Sequence, residues 1–203
     1  MEAKLLLIPW MVSVLYSSIP LFWLAIHPFA GSWRKMDRSP YRLLLPIWMV
    51  IVVFLGLASW PWHAVRLYST PWAWLPAAFL FAAGLRTYAV IRSEFGAHKL
   101  TGEAELRPTE HVQELVTGGM HSRMRHPIYI AHLINLAGWA IGSGLAAAYV
   151  LLALSLCLTF PLMIRIEERE LEQRFGEEYR VYKQTVPLFS LPLLTRPERK
   201  RPA

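Results

Sequence analysis

The sequence has few of the residues that metal and redox sites require. Cys157 is the single cysteine among 203 residues. It excludes an internal disulfide and, in the middle of an apolar stretch, predicts a small packing residue. The seven histidines form no H-E-x-x-H motif and no pair four residues apart, so a metal site is not expected. No G-x-G-x-x-G motif is present either, and a Rossmann cofactor domain is therefore not expected.

Charged residues are also scarce. Asp, Glu, Lys and Arg make up 17% of the chain, whereas 55% of the residues are hydrophobic and 9 are Trp. A soluble domain of this length is normally more polar and less aromatic. We therefore predict an all-α integral membrane protein in which residues 1–203 form a single domain.

Apolar stretches predict five transmembrane helices. They cover residues 5–26, 43–62, about 71–91, 128–141 and 145–164. Only the sequence Gly142-Ser143-Gly144 separates the last two stretches. Because this connection is so short, we expect these two helices to form a tight antiparallel hairpin.

The distribution of basic residues predicts an orientation in the membrane. Lys and Arg are concentrated in residues 27–42, in residues 92–127 and in the tail from Arg165 onward, whereas the opposite helix ends have only Lys4 and Arg66. The positive-inside rule then places the N-terminus outside and the C-terminal segment in the cytoplasm. The formal net charge of +7 favours contact with anionic membrane lipids. The sequence contains no basic helix with interleaved aromatics, so a nucleic-acid partner is not expected.

One charged block, Arg125-His126-Pro127-Ile128-Tyr129, begins the fourth predicted helix. Proline is favourable in a first helical turn because its missing N–H would have no intrahelical partner there. The block is therefore expected at the membrane surface. It fits an interfacial anchor, in which Arg extends to water and Tyr lies at headgroup level, and it fits a binding site equally well.

A second block, Glu167-Glu168, follows the fifth apolar stretch, with Arg165 two residues earlier. Carboxylates at this depth are costly to desolvate unless a partner is supplied, so these two are candidate site residues. The helix is expected to continue to Gly176. The alternative to a site is a solvated helix face stabilised by pairs such as Glu170 and Arg174. That solvated face is predicted to include Glu170, Glu172, Glu177 and Glu178.

Two polar residues lie within the fourth predicted helix. His132 and Asn135 share one helical face with Tyr129. Polar groups at this depth normally point into the bundle. They are expected either to line a pocket for a small molecule or to form hydrogen bonds between helices.

Together these blocks resemble the isoprenylcysteine carboxyl methyltransferase family and its relatives, the phospholipid N-methyltransferases. The resemblance covers roughly residues 90–192. Its motifs are Leu115-Val116-Thr117-Gly118-Gly119, Arg125-His126-Pro127-Ile128-Tyr129, Glu167-Glu168, Leu171, Phe175-Gly176, Tyr179, Tyr182 and Val186-Pro187.

The resemblance implies a methyltransferase that uses S-adenosylmethionine and acts on a lipophilic acceptor dissolved in the membrane. Residues 1–91 would form a three-helix N-terminal part, and residues 92–192 a catalytic part with a cofactor loop, the helix hairpin and a cytoplasmic C-terminal helix. His132 and Asn135 would line the acceptor pocket, and Arg125, Arg165 and Glu168 would be catalytic, the two arginines by orienting an acceptor carboxylate. The cofactor would be bound by Thr117, Gly118, Gly119, His121, His126, Pro127, Tyr129, Glu167, Glu168 and Tyr179.

The sequence departs from the family at two places. It has Met120-His121 where relatives usually have Pro-Tyr, and Ala131 where they usually have Gly. Three other functions stay open: a phospholipid amine N-methyltransferase, an NADPH-dependent enzyme like the sterol reductases, and a non-catalytic membrane interaction protein. The sterol reductases share a His-Pro-x-Tyr block, but they usually carry Asn at the position of Ile128.

Overall fold

The computed structural model describes residues 2–95, 106 and 114–190. Over these residues the fold is helical, and one isolated antiparallel bridge joins Arg66 to Leu145. The prediction of an all-α protein is confirmed for this part of the chain. Lys99 and Arg107, on which the predicted orientation partly rests, lie outside the described residues.

The helices follow the apolar stretches of the sequence. Short 3₁₀ turns extend the ends of several of them, and a π-helical segment, Ser155–Thr159, joins α6 to α7. The α-helices in the described residues are α1 (Glu2–Ile26), α2 (Ala30–Trp33), α3 (Tyr41–Ser59), α4 (Trp74–Phe95), α5 (Pro127–Ser143), α6 (Ala146–Leu154), α7 (Phe160–Phe175) and α8 (Glu177–Thr185).

Four helical stretches of the described chain are long and apolar enough to cross a membrane. The predicted fourth span is a helix as well, but α5 has 17 residues, fewer than the roughly 20 that normally cross a bilayer. By length and composition the chain is therefore an integral membrane protein with four candidate spans. These are Leu6–Trp33, Tyr41–Trp62, Pro71–Glu94 and Ala146–Phe175.

The predicted hairpin between the last two long helices is present. Helix α5 ends at Ser143, and Gly144 follows with φ of 65°, a left-handed conformation that terminates helices and favours glycine. The loop before α4 holds this turn in place: the Leu67 N–H donates to the Gly144 carbonyl at 2.8 Å, and the Ala146 N–H donates to the Val65 carbonyl at 2.9 Å.

Helix α5 packs most extensively against α4. At Gly84 a side chain is excluded, because a Cβ atom there would lie 2.3 Å from the Asn135 amide nitrogen. This close approach leaves Asn135 on α5 buried. It also fixes α5, whose first turn carries the Arg-His-Pro block, against the rest of the bundle.

The prediction that Cys157 is a small packing residue is wrong, because its side chain is exposed. The residue lies in the middle of the π-helical segment, whose ends, Ser155 and Thr159, are buried. Leu156 and Leu158 are exposed beside it. The three central side chains of the π-helical segment therefore face outward.

Candidate active site at the start of helix α5

The two charged blocks meet at the start of α5. The Arg125 Nε donates a 2.8 Å hydrogen bond to Glu168 Oε1. His126 lies between the two carboxylates, with Nε2 at 3.3 Å from Glu168 Oε1 and Nδ1 at 3.4 Å from Glu167 Oε2. The Tyr129 ring is stacked on His126, with centroids 5.1 Å apart, and its hydroxyl donates to Glu167. Residues some forty positions apart in the sequence thus form one cluster.

The local backbone explains how this block is held. Pro127 is the first residue of α5, where its missing N–H leaves no unsatisfied donor. The two residues before it donate backbone hydrogen bonds to the segment after α8: Arg125 N–H to the Pro187 carbonyl at 3.0 Å, and His126 N–H to the Leu188 carbonyl at 3.4 Å. The Val186-Pro187 motif therefore lines up beside the Arg-His-Pro block.

Glu168 is paired with two cations. Its side chain is 9% exposed and contacts Arg125 and the Lys183 ammonium, whose Nζ lies 3.0 Å from Oε2, beside the His126 ring. Lys183 also pairs with Glu172 at 2.8 Å. The hydrogen bond to Glu172, and after it the one to Glu168, raises the pKa of Lys183. Because a buried carboxylate is stable only with such partners, Glu168 joins α7 to both α5 and α8.

Arg125 contributes more than this ion pair. Its Nη1 donates to the backbone carbonyls of Lys183 and Val186. These carbonyls lie in the last turn and at the end of α8, where helices leave acceptors without intrahelical partners and a cation is favourable. Arg125 therefore holds the end of α8 against the start of α5.

Glu167 has a less cationic environment than Glu168. The partners of its Oε2 are the Tyr129 hydroxyl and His126, and the described residues supply no hydrogen bond to its Oε1. No Lys or Arg of the described chain forms an ion pair with it. Of the two adjacent carboxylates, Glu167 is thus the one with an oxygen available for a ligand.

Helix α8 supplies two buried tyrosines. Tyr179 is 1% exposed, and its hydroxyl has no hydrogen-bond partner among the described residues. Burial, and then the nearby Glu168 and Glu167 charges, raise the pKa of Tyr179, so the phenol stays protonated. The Tyr182 hydroxyl donates to the His121 carbonyl at 2.7 Å, and burial raises the pKa of Tyr182 to about 12.

His121 is buried beside this cluster in a 3₁₀ turn, Gly119–Ser122. Burial, assisted by the neighbouring His126, lowers the pKa of His121 to about 4. The ring is therefore neutral at physiological pH. His121, one of the two residues at which the sequence has Met-His in place of Pro-Tyr, therefore lies beside the Arg-His-Pro block.

The predicted glycine turn lies at the edge of the cluster. Thr117, Gly118 and Gly119 are exposed. Gly119 has φ of 57°, and the following Met120 N–H donates to both oxygens of the Glu94 carboxylate, at 3.0 and 3.2 Å. Backbone amides of this turn can therefore bind an anionic oxygen.

Arg165 is not brought into this cluster. Its side chain is exposed, and it forms no ion pair with the described residues. Arg165 lies three residues before Glu168 on the same helix, so it is near the site along the chain but directed to the protein surface. Its role toward an acceptor stays a prediction.

His132 connects three helices. Pro20, inside α1, lacks the N–H that would bond to the Tyr16 carbonyl four residues earlier. His132 Nε2 lies 2.6 Å from that carbonyl oxygen, and His132 Nδ1 lies 3.0 Å from the Tyr88 hydroxyl. Since a carbonyl only accepts, Nε2 carries the hydrogen, and the Tyr88 hydroxyl donates to Nδ1 of the neutral ring.

The interhelical alternative predicted for His132 is therefore present. Asn135 is also buried, but its amide donates to the Ala131 carbonyl of its own helix at 2.9 Å. The predicted role of these two residues toward an acceptor stays a prediction.

Two charged residues were placed wrongly or missed by the sequence analysis. Glu170 was predicted to lie on a solvated face, but it is buried between Arg34, at 2.6 Å, and Arg174, at 3.6 Å. Lys183 was not predicted in the site. It lies four residues after Tyr179, which places both on one helical face, and this spacing was the available signal.

Comparison with known proteins agrees with this arrangement. The phospholipid methyltransferase family matches residues 72–178, a range that includes both charged blocks. The cobalt-zinc-cadmium resistance protein CzcN of Cupriavidus metallidurans is 30% identical over 164 residues, which cover 80% of this chain and 70% of that protein. No solved structure matches the chain significantly.

Two shorter matches are to proteins named as methyltransferases. Protein-S-isoprenylcysteine O-methyltransferase B of Arabidopsis thaliana is 33% identical over 107 residues, 51% of this chain and 50% of that protein. Methanethiol S-methyltransferase 1 of Bradyrhizobium diazoefficiens is 33% identical over 97 residues, 46% of this chain and 32% of that protein. The resemblance stated from the motifs is confirmed: the chain belongs to the phospholipid methyltransferase family.

Proposed function

We propose that this protein is an S-adenosylmethionine-dependent methyltransferase that acts on a lipophilic acceptor dissolved in the membrane. The observation that carries the proposal is the unequal pair of adjacent carboxylates on α7. Cations compensate Glu168, whereas Glu167 keeps an oxygen without a described partner. A site for a positively charged ligand needs such an anion, held in place by a neighbour that is already neutralised.

The residues present fit this cofactor. When bound, S-adenosylmethionine supplies a methyl group on a positively charged sulfonium sulfur. Glu167 can accept a hydrogen bond from an ammonium or a ribose hydroxyl, and the buried Tyr179 hydroxyl, which lacks a described partner, can bond to a polar group of the same ligand. The Gly118-Gly119 turn offers backbone N–H groups for a carboxylate, as the Met120 N–H does for Glu94.

The remaining predicted cofactor residues would form the walls of the site. Burial keeps His121 neutral, so it adds no positive charge that would repel a sulfonium. The other members of this group are Thr117, His126, Pro127, Tyr129 and Glu168. Among them, Glu168 holds the first turn of α5 and the end of α8 in position, and we assign direct cofactor contact to Glu167.

Methyl transfer is an in-line displacement, so alignment of the reacting atoms, exclusion of water and electrostatics carry most of the catalysis. The residues of this chain would act by position: Arg125 joins the start of α5 to α7 through one hydrogen bond and to the end of α8 through two. Arg125 and Arg165 are the proposed groups for orienting an acceptor carboxylate. His132 and Asn135 are the proposed polar residues of the acceptor pocket.

An acceptor like the isoprenylcysteine carboxylate is the first candidate. One relative is named for O-methylation of isoprenylcysteine and another for S-methylation of methanethiol, so an oxygen or a sulfur acceptor is supported by similarity. A phospholipid amine is the alternative within the same chemistry. The exposed apolar faces of the candidate spans would let such a molecule enter sideways from the bilayer.

The site is proposed to face the cytoplasm, with the N-terminus outside, as the distribution of Lys and Arg predicts. The test uses single cysteines in a Cys157→Ser background. A cysteine replacing the exposed Ser69 should react with an impermeant maleimide added to intact cells, and one replacing the exposed Glu178 should not. The reverse labelling pattern would overturn the proposed orientation.

The proposed function is tested by ligand-induced stabilisation followed by product analysis. S-adenosylhomocysteine should raise the Tm of the purified protein, because a ligand that binds the folded state stabilises it, and NADPH should not. Membranes containing the protein should then transfer a labelled methyl group into a lipid-soluble fraction. Stabilisation by NADPH alone would favour a reductase, and stabilisation by neither ligand would favour a non-catalytic protein.

A further inference from the structure

A concave site lies at the other end of α5 from the carboxylate pair. It is a half-open cavity of about 420 Å³ between the first turns of α1, the loop before α4 and the C-terminal turns of α5. Tyr129 and Gly142 are thirteen residues apart on α5, which corresponds to roughly 20 Å at 1.5 Å per residue. The cavity is therefore separate from the proposed methyl-transfer site and does not depend on it.

The polar rim of this cavity has unused hydrogen-bonding groups. Arg66, Ser69 and Thr70 line it, and none of their side chains makes a hydrogen bond or ion pair with the described residues. Two other polar residues of the lining are already satisfied: the Tyr68 hydroxyl bonds to the Ile141 carbonyl at 2.7 Å, and the Ser143 hydroxyl bonds to the Trp139 carbonyl at 2.6 Å. The free donors are thus confined to one side.

Arg66 forms no ion pair with the side chains that the structure describes, from residue 6 of α1 onward. It is the single Asp, Glu, Lys or Arg between residues 43 and 85. Helix α5, which forms the facing wall, has no such residue either. Arg66 is exposed at the rim of the cavity, and the planar fork of a guanidinium binds phosphate oxygens at two points.

The rest of the cavity wall is mainly apolar and aromatic. Trp74 and Trp139 meet edge to face with ring centroids 6.2 Å apart, and Leu6, Pro9 and Pro71 continue this wall. The exposed Trp60 and Trp72 flank the region, which is typical of the headgroup level of a membrane, where Trp is enriched. Apolar walls with a few polar groups on one side are the usual form of a small-molecule site.

We propose that this cavity binds one anionic phospholipid at the membrane surface opposite the methyl-transfer site. The lipid phosphate lies against Arg66 and the Ser69 and Thr70 hydroxyls, and the beginning of an acyl chain lies against Trp74 and Trp139. The rim loop is hydrogen-bonded to the turn between α5 and α6, so the bound lipid stabilises this end of the bundle.

The test compares lipid retention by the purified full-length protein and two charge variants. Native mass spectrometry in a neutral detergent counts the phosphatidylglycerol and phosphatidylcholine molecules that remain bound per chain. The wild type should retain one phosphatidylglycerol in preference to phosphatidylcholine. Arg66→Gln should need at least tenfold more added phosphatidylglycerol to reach the same number of bound molecules per chain. Arg38→Gln removes an exposed arginine elsewhere and should behave like the wild type. Equal retention by Arg66→Gln and the wild type would overturn the proposal.

A second measurement separates a lipid from a free anion. Inorganic phosphate should leave the Tm of the wild type unchanged, whereas phosphatidylglycerol should raise it through Arg66. A rise of equal size with inorganic phosphate would overturn the assignment to a lipid. With bromine-labelled acyl chains, phosphatidylglycerol should quench Trp fluorescence less in Trp139→Phe than in the wild type, and unchanged quenching would exclude the proposed position of the chain.

Discussion

Arg125 and Glu168 are 43 residues apart in the sequence, and a 2.8 Å hydrogen bond from Nε to Oε1 joins them. Both side chains are almost fully buried, at 11% and 9% exposed. The pair connects the first turn of α5 to α7, and the remaining hydrogen bonds of Arg125 connect it to the end of α8. One ion pair therefore sets the relative positions of the elements that carry the site.

Glu168→Gln should destabilise the protein strongly. The amide keeps the size of the side chain but leaves Arg125 and Lys183 without their shared anion. Breaking a buried ion pair costs about 3 kcal/mol, or roughly 6–12 °C in Tm for a chain of this size. Thermal unfolding in detergent measures the shift. Glu177→Gln is the matched control, because Glu177 is exposed and pairs with Arg180 at the surface; equal Tm values for both variants would contradict the assignment.

Arg125→Lys should separate cofactor binding from turnover. Lysine keeps the positive charge, so affinity for S-adenosylhomocysteine should change little. It cannot reach Glu168 and two carbonyls at once, and the resulting misalignment should lower methyl transfer by more than about tenfold. Titration calorimetry and a methyl-transfer assay measure the two quantities. Arg165→Lys, at an exposed position, is the comparison, because it can disturb an acceptor contact but none of the hydrogen bonds that join the helices. A larger loss of turnover there than in Arg125→Lys would contradict the claim that Arg125 aligns the site.

His132 and Pro20 should behave as a coupled pair. His132→Ala removes the donor to the Tyr16 carbonyl and should lower stability by about 1–3 kcal/mol, the cost of leaving buried polar groups unsatisfied. Pro20→Ala restores a backbone N–H that can bond to the same carbonyl. In that background the cost of His132→Ala should be smaller, and a double-mutant cycle on the free energy of unfolding measures the difference. Additive effects would mean that His132 does not compensate for the proline.

Stability should fall as the pH is lowered from about 6.5 to about 4. The unfolded chain takes up a proton on His121 near its ordinary pKa of about 6.5, whereas the folded protein does so near a pKa of about 4. The unfolded state therefore binds more protons in this interval, and the linkage term is at most about 3 kcal/mol. In His121→Gln the Tm should fall less over the same pH range. The Tyr182 hydrogen bond to the backbone carbonyl of residue 121 can persist in this variant.

The sequence predicts those features of the fold that depend on local chemistry. Gly144 ends α5 and Gly176 ends α7 in positive φ, and both ends follow from the freedom of glycine. Pro127 correctly predicted the start of α5, and the resemblance to the family implied that the Arg-His-Pro block lies near Glu167-Glu168.

Partner choice between distant helices was harder to predict. Glu170 looked like a solvated residue paired with Arg174, and its burial depends on Arg34, 136 positions away. His132 became a link to α1 because a proline on that helix freed a carbonyl. Cys157 faces outward within a π-helical segment that the sequence does not signal. For Glu170 and His132 the deciding contact belongs to a different element from the residue itself.

The central claim is that Glu167 contacts the cofactor while Glu168 holds the site together. Isothermal titration of S-adenosylhomocysteine into Glu167→Gln and Glu177→Gln tests it most directly. Loss of a charge-assisted hydrogen bond at Glu167 should weaken binding by about 1.5–3 kcal/mol, roughly ten- to a hundredfold, with a Tm close to that of the wild type. Glu177→Gln should bind like the wild type. Equal affinities for the two variants would contradict the claim and return Glu167 to a structural role.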